Sequence, residues 1–154
     1  MDEENLKLKV REIVEQARAL KDKHTNQKDA PVNYACIFSQ SKEEYDTLIE
    51  VMNKMGKIIK ETSMGPVFQI EPLDTVSGKL NLLKIRLPDE KRPEKGDADF
   101  TVSDYPAFKE KYLSKEGYKL IERDNFEMIE LIDPEFDVLA YFSYPTLGEY
   151  LGIK

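Results

Sequence analysis

Residues 96–123 read GDADFTVSDYPAFKEKYLSKEGYKLIER, and the architecture is decided there. ADFTV is a short strand, in which successive side chains alternate between faces. Ala98, Phe100 and Val102 fall on one face, and Asp97, Asp99 and Thr101 on the other. Ser103 or Asp104 then caps a helix over DYPAFKEKYLSKEG, with Pro106 in the first turn, where no backbone N–H is needed. Phe108 and Tyr112, with Leu113 as a candidate third, give this helix its apolar side, and Gly117 ends it. The strands YKLIERD, FEMIELID and DVLAYFSY follow, separated by Asp124-Asn125 and by DPEFD. The order is strand, helix, strand, strand, strand.

The same plan stands upstream. VNYACIFS alternates as a half-buried strand, and Ser41 with Glu44 forms a capping box. The helix SKEEYDTLIEVMNKM puts Tyr45, Leu48, Ile49, Met52 and Met55 on one side and ends at Gly56, a residue suited to a left-handed cap. The strand candidates KIIKET, PVFQIEPL and LNLLKIRLP follow, and IIKE after Gly56 echoes LIER after Gly117, about 61 residues later. A period this long, present twice, suits two fused half-domains rather than a solenoid. The expected fold is α+β, with βαβββ modules over 32–95 and 96–154 joined through LPDEKRPEKG.

Residues 1–31 lie outside the repeat. Leu6, Val10, Ile13, Ala17 and Leu20 share one face of an amphipathic helix over 1–24, and the polar stretch HTNQKDAP links it onward. That helix either covers an exposed sheet or pairs with its copy in a possible homodimer. Acids outnumber bases by 30 to 23, for a net charge of −7. This argues against nucleic acid or an anionic membrane as partner, since each needs a basic face. No stretch approaches the roughly 20 apolar residues of a membrane span. The start, MDEENLKLKVREIVEQ, lacks the apolar centre of a signal peptide. A single Cys36 fits a reducing cytoplasm.

GDADFTVSDYPAFKEKYLSKEGYKLIER and FEMIELIDPEFDVLAYF, within the repeat over 32–144, resemble the vicinal oxygen chelate superfamily, the glyoxalase and bleomycin-resistance-like proteins. The resemblance implies two βαβββ modules forming a cup-shaped mixed sheet around a ligand site. The family's metal enzymes place a His at the start of each module's first strand and a Glu within each last strand. Those places fall here at Tyr34 and Asp97, and at Lys84 and Ala140. Asp97 alone among them suits a metal. The resemblance therefore implies a divergent member with no metal ligands and no cofactor.

Candidate site residues follow from strand faces. Asp97 and Asp99 either form an acid–base pair facing the cup or sit at a strand end facing water. Lys84 and Arg86 either hold a ligand's anionic group or guard a solvated sheet edge. Tyr34 and Phe38, with Phe142 beside Val138 and Ala140, either line an apolar pocket or fill a closed core. His24, at a helix C-terminus, reads as a dipole partner rather than a catalytic base, and Cys36 as a small core residue. The tail YPTLGEYLGIK either closes one end of the cup or packs on the N-terminal helix. The leading expectation is a metal-independent protein that binds a partly apolar, anionic small molecule. The alternatives are a lyase or isomerase using Asp97 and Asp99 on a carbonyl compound, as acid and base or as metal ligands, and an interaction protein assembling through its first helix.

Overall fold

Asp2, Ser41, Asp104 and Thr146 each set a side-chain oxygen on the backbone N–H three residues ahead, and a helix starts at each. The caps satisfy donors that a helix start otherwise leaves unpaired. A computed structural model describes residues 1–153. In chain order the elements are α1 (Glu3–His24), β1 (Val32–Phe38), α2 (Lys42–Met55), β2 (Gly56–Lys60), β3 (Val67–Thr75) and β4 (Gly78–Arg86). Then come β5 (Gly96–Phe100), α3 (Tyr105–Tyr112), β6 (Tyr118–Glu122), β7 (Glu127–Leu131), β8 (Val138–Tyr144) and α4 (Leu147–Leu151).

All eight strands form one sheet in the order β2-β3-β4-β1-β5-β8-β7-β6. Within each module the first and last strands run parallel, β1 beside β4 and β5 beside β8. The modules meet only through the antiparallel β1–β5 pair, in which Ala35 faces Ala98. Ala35 lies six residues before its helix cap Ser41, and Ala98 six before Asp104. The two alanines are thus equivalent positions, and the seam lies on a pseudo-twofold axis.

One face of the sheet carries the helices. Ala35, Ala98 and Ala140 are completely or almost completely buried there, beneath α1, which packs on β1, β5 and β8. Small side chains along the seam let the helix come close. Gly96 belongs to the same fit, since an added Cβ would meet the Cys36 carbonyl oxygen at 2.3 Å and Ile13 Cδ1 at 2.9 Å. The apolar side of α1, from Leu6 to Leu20, is buried against the sheet, so it is not free to pair with a second chain. Lys21 is also fully buried, with Nζ 2.6 Å from both Asp22 Oδ1 and the Gln27 carbonyl and 5.3 Å from the Phe100 ring centre. It fastens the segment between α1 and β1. His24 Nε2 and Lys23 Nζ reach Asp133 Oδ2 at 2.8 and 2.9 Å, tying the end of α1 to the β7–β8 turn. His24 therefore has a structural partner, in addition to its place at the helix end.

Several local expectations are revised. Gly56 is extended, not left-handed, and opens β2 directly; it is glycine because a Cβ would lie 2.3 Å from the Gln69 carbonyl oxygen. Helix α3 stops at Tyr112, and Gly117, at φ +92°, makes the turn into β6 instead. Asp104, not Ser103, is the α3 cap. Glu44 completes its cap one residue early, accepting from the Gln40 N–H at 2.9 Å. Among the described residues no helix is long and apolar enough to cross a membrane.

Gly96→Ala is expected to destabilise the protein by about 1–3 kcal/mol, the usual cost of overpacking. Urea unfolding measures it, and an unchanged midpoint would show that α1 does not sit tightly on the seam.

Candidate functional site

The sheet face away from α1 is built from rows of neighbouring side chains. One row runs Lys84, Cys36, Asp97, Leu139 across β4, β1, β5 and β8. A second runs Tyr34, Asp99, Tyr141, Glu130 from β1 to β7, and Arg86 stands beside Phe38. The sheet curls so that Val67 of β3 and Met128 of β7 border the same cavity, about 410 Å³ in volume. That size suits a small organic molecule. Leu147 and Tyr150 of α4 close one side. The Tyr150 ring lies 5.4 Å from Phe126, and Lys60 Nζ lies 5.3 Å from its centre, so the tail bridges opposite edges of the cup. This is the first of the two placements expected for the tail.

Tyr34, Phe38, Lys84, Arg86, Asp97 and Asp99 all border the cavity. Phe142 does not. It is fully buried on the helix face, with ring centres of Phe108 and Phe100 at 4.5 and 6.3 Å, and Val138 and Ala140 share that face. The cavity residues of β8 are Tyr141 and Ser143. The cause of the inversion is that every residue from Val138 to Ser143 is buried, so alternation in polarity does not mark which side is which. Arg92, Lys60 and Arg123 also line the cavity. Arg92 belongs to the charged connector, where neighbouring acids hide it in the sequence.

The two aspartates occupy different environments. Asp99 Oδ1 accepts from the Ser143 N–H at 3.2 Å and from Asn33 Nδ2 at 3.2 Å, while Ser143 Oγ–H donates to Oδ2. Burial raises its pKa from 3.8 to about 6, against the lowering effect of these donors. Asp97 is 6% exposed, and its Oδ1 has no hydrogen-bond partner. Burial pushes its carboxyl well above the usual carboxylate range and the nearby Asp99 adds to the push, while Lys84 and Arg86 pull down. Burial likewise raises the Tyr34 phenol and the Cys36 thiol, which removes the thiolate a nucleophile would need.

The cations are held unequally. Arg86 Nη2 reaches Asp89 Oδ2 at 3.1 Å, and the guanidinium lies over Phe38 at 4.9 Å, but Arg86 Nε is buried without a partner. Arg92 Nη2 donates to Glu130 Oε2 at 3.1 Å, and the Tyr141 hydroxyl donates to the same oxygen at 2.7 Å. Among the described residues Lys84 has no acidic partner within ion-pair distance.

The positions that the resemblance assigns to metal ligands do not fit a metal. Ala140 faces the helices, Lys84 brings a positive charge, and Tyr34 is a deeply buried phenol. Among the described residues no three His, Cys, Asp or Glu side chains gather to hold an ion. Asp97 and Asp99 alone do not supply the several donors a divalent ion requires.

No protein-family model matches the sequence, and no curated protein does. Among solved structures, protein EC4020, from a structural-genomics study, is similar over 93% of this chain and 87% of its own, with TM-score 0.70 and 12% identity. That likeness is one of fold. A glyoxalase/bleomycin resistance protein/dioxygenase superfamily member from Vibrio splendidus 12B01 is similar over 74% of this chain and 97% of its own, at TM-score 0.45 and 9% identity. Methylmalonyl-CoA epimerase from Mycobacterium tuberculosis is similar over 77% and 91%, at TM-score 0.43 and 14% identity. Strand order, the two parallel first-to-last pairings and the antiparallel seam give this chain the paired βαβββ fold of the glyoxalase-like type.

Asp99→Asn is expected to change how stability responds to pH. Because burial raises the Asp99 pKa, the folded state binds this proton more tightly than the unfolded chain, and stability falls as pH rises from about 4 to 6. The amide keeps an acceptor for Asn33 and the Ser143 N–H and donates to Ser143 Oγ. Denaturation at pH 8 is expected to show the variant up to about 3 kcal/mol more stable, with a flatter profile below pH 6. A variant less stable than wild type at pH 8 would contradict this.

Proposed function

We propose that the protein binds a small, partly apolar organic anion in the cup without using a metal. One observation carries this reading. The chain has a net charge of −7, yet five cations, Lys60, Lys84, Arg86, Arg92 and Arg123, border a cavity whose only acidic lining residues are Asp97 and Asp99. A cleft that collects cations in an acidic protein focuses potential on an incoming anion. Lys84 is the cation free of an acidic partner, and Arg86 offers an unused Nε–H. Phe38, Tyr141 and Met128 supply apolar contact for the remainder of the ligand. Tyr34, at the floor, adds a protonated phenol. The single buried thiol of Cys36 suits a reducing compartment such as the cytoplasm.

A second reading, a lyase or isomerase acting on a carbonyl compound, is favoured by the contrast between the two aspartates. Paired carboxyls with separated proton affinities suit acid–base work. In it Asp97 exchanges a proton with carbon beside the carbonyl, with no metal step. Deuterium exchange into the α-position of a bound carbonyl compound, lost in Asp97→Ala, is its signature.

Isothermal titration with arylalkyl carboxylates, 3-phenylpropanoate among them, tests the binding reading. Saturable 1:1 binding is expected, weakened about tenfold or more in Lys84→Met, the usual scale for a lost charged hydrogen bond. The uncharged 3-phenylpropanamide is expected to bind more weakly. No saturable binding by any member, or affinity indifferent to Lys84, would overturn the reading.

A further inference from the structure

The cup floor brings together polar groups that lack partners. Lys84 and Asp97 flank Cys36 in the register, and Arg86 follows two residues along β4. Arg86 Nε and Asp97 Oδ1 are both buried and without hydrogen-bond partners. The donors that would support an ionised aspartate go to Asp99 instead, which takes the Ser143 N–H, the Ser143 hydroxyl and the Asn33 amide. A buried carboxylate with no donor is costly. Asp97 also faces Asp99 on its own strand and Glu130 from β7, both of which disfavour a further negative charge. Lys84 and Arg86 oppose this, but burial outweighs them. Asp97 therefore keeps its proton and acts as a neutral O–H donor. The floor thus offers an ammonium, a guanidinium N–H and a carboxyl O–H.

We propose that Lys84, Arg86 and the protonated carboxyl of Asp97 together recognise a carboxylate bearing a second oxygen on the adjacent carbon, the head group of 2-oxo and 2-hydroxy acids. This rests on the reading of the cavity as an anion-binding site. The ligand carboxylate meets the two cations, which suit its charge and its paired lone pairs. The neighbouring oxygen is an uncharged acceptor and suits the neutral Asp97 donor. A simple carboxylate leaves that donor unpaired, and sites built to bond an oxygen discriminate strongly against analogues that lack it. The apolar remainder of the acid lies against Phe38 and Tyr141.

Phenylpyruvate and 3-phenylpropanoate differ only in the 2-oxo oxygen, so their affinity ratio isolates the Asp97 contact. By calorimetry at pH 7 the wild-type protein is expected to prefer phenylpyruvate by about tenfold or more. Asp97→Asn retains an N–H donor of the same shape and is expected to keep most of that preference. Asp97→Leu has no donor and is expected to bring the ratio near one, while its affinity for 3-phenylpropanoate stays within a few-fold of wild type and so reports an intact cup. Equal wild-type affinities, or a preference that survives in Asp97→Leu, would overturn the proposal and leave the anion-binding reading standing. If neither acid binds the wild-type protein, it is the anion-binding reading that fails, and the proposal falls with it.

Discussion

The antiparallel pairing of β1 with β5 is the constraint on which the rest of the structure depends. It is the only strand contact between the modules, and its centre is a pair of equivalent alanines, Ala35 and Ala98. Small residues there serve the helix face, because Ala35, Ala98, Ala140 and Gly96 leave the space that α1 occupies. Alternation along the same strands sends the intervening residues to the opposite face. Once α1 is seated, Cys36, Asp97 and Asp99 must point into the cup. The packing of the N-terminal helix and the chemistry of the cavity are two sides of one arrangement.

That arrangement also explains the electrostatics. Parallel pairing of β1 with β4 carries Lys84 and Arg86 beside Cys36 and Phe38, and the connector folds Arg92 back over Glu130. Asp97 and Asp99 are chemically identical and two residues apart, yet only Asp99 has donors. The difference comes from Asn33 on β1 and Ser143 on β8, which reach one carboxyl and not the other. A metal cup would need several bare donors converging on one point. This cup has cations and a neutral acid there, a set that suits an oxygen-rich anion better than a cation.

Much of the fold is legible in the chain itself. Ser41 and Asp104 have short polar side chains that reach a backbone N–H three residues on, and their matched positions reveal the repeat. Asp97 and Asp99 could be oriented from sequence because charged and apolar residues alternate cleanly around them. VLAYFSY could not be oriented this way. It is a central strand covered on both faces, so Phe142 and Tyr141 carry the same signal although they point in opposite directions. Gly56 misleads for another reason: its glycine answers a close approach by the Gln69 carbonyl from β3, a contact invisible to local sequence. Arg92 sits among acids in the connector and becomes a cavity residue only when the chain turns back toward β7.

The central claim is that matched halves joined at this seam enclose a cationic hollow for an organic anion. Its most direct test is a crystal structure with a brominated carboxylate, such as 3-(4-bromophenyl)propanoate, located by the anomalous signal of bromine. The account predicts one strong peak inside the cup near Phe38 and Tyr141, with the carboxylate directed at Lys84 and Arg86. A cup filled by its own side chains, or bromine found only on the outer surface, would contradict it.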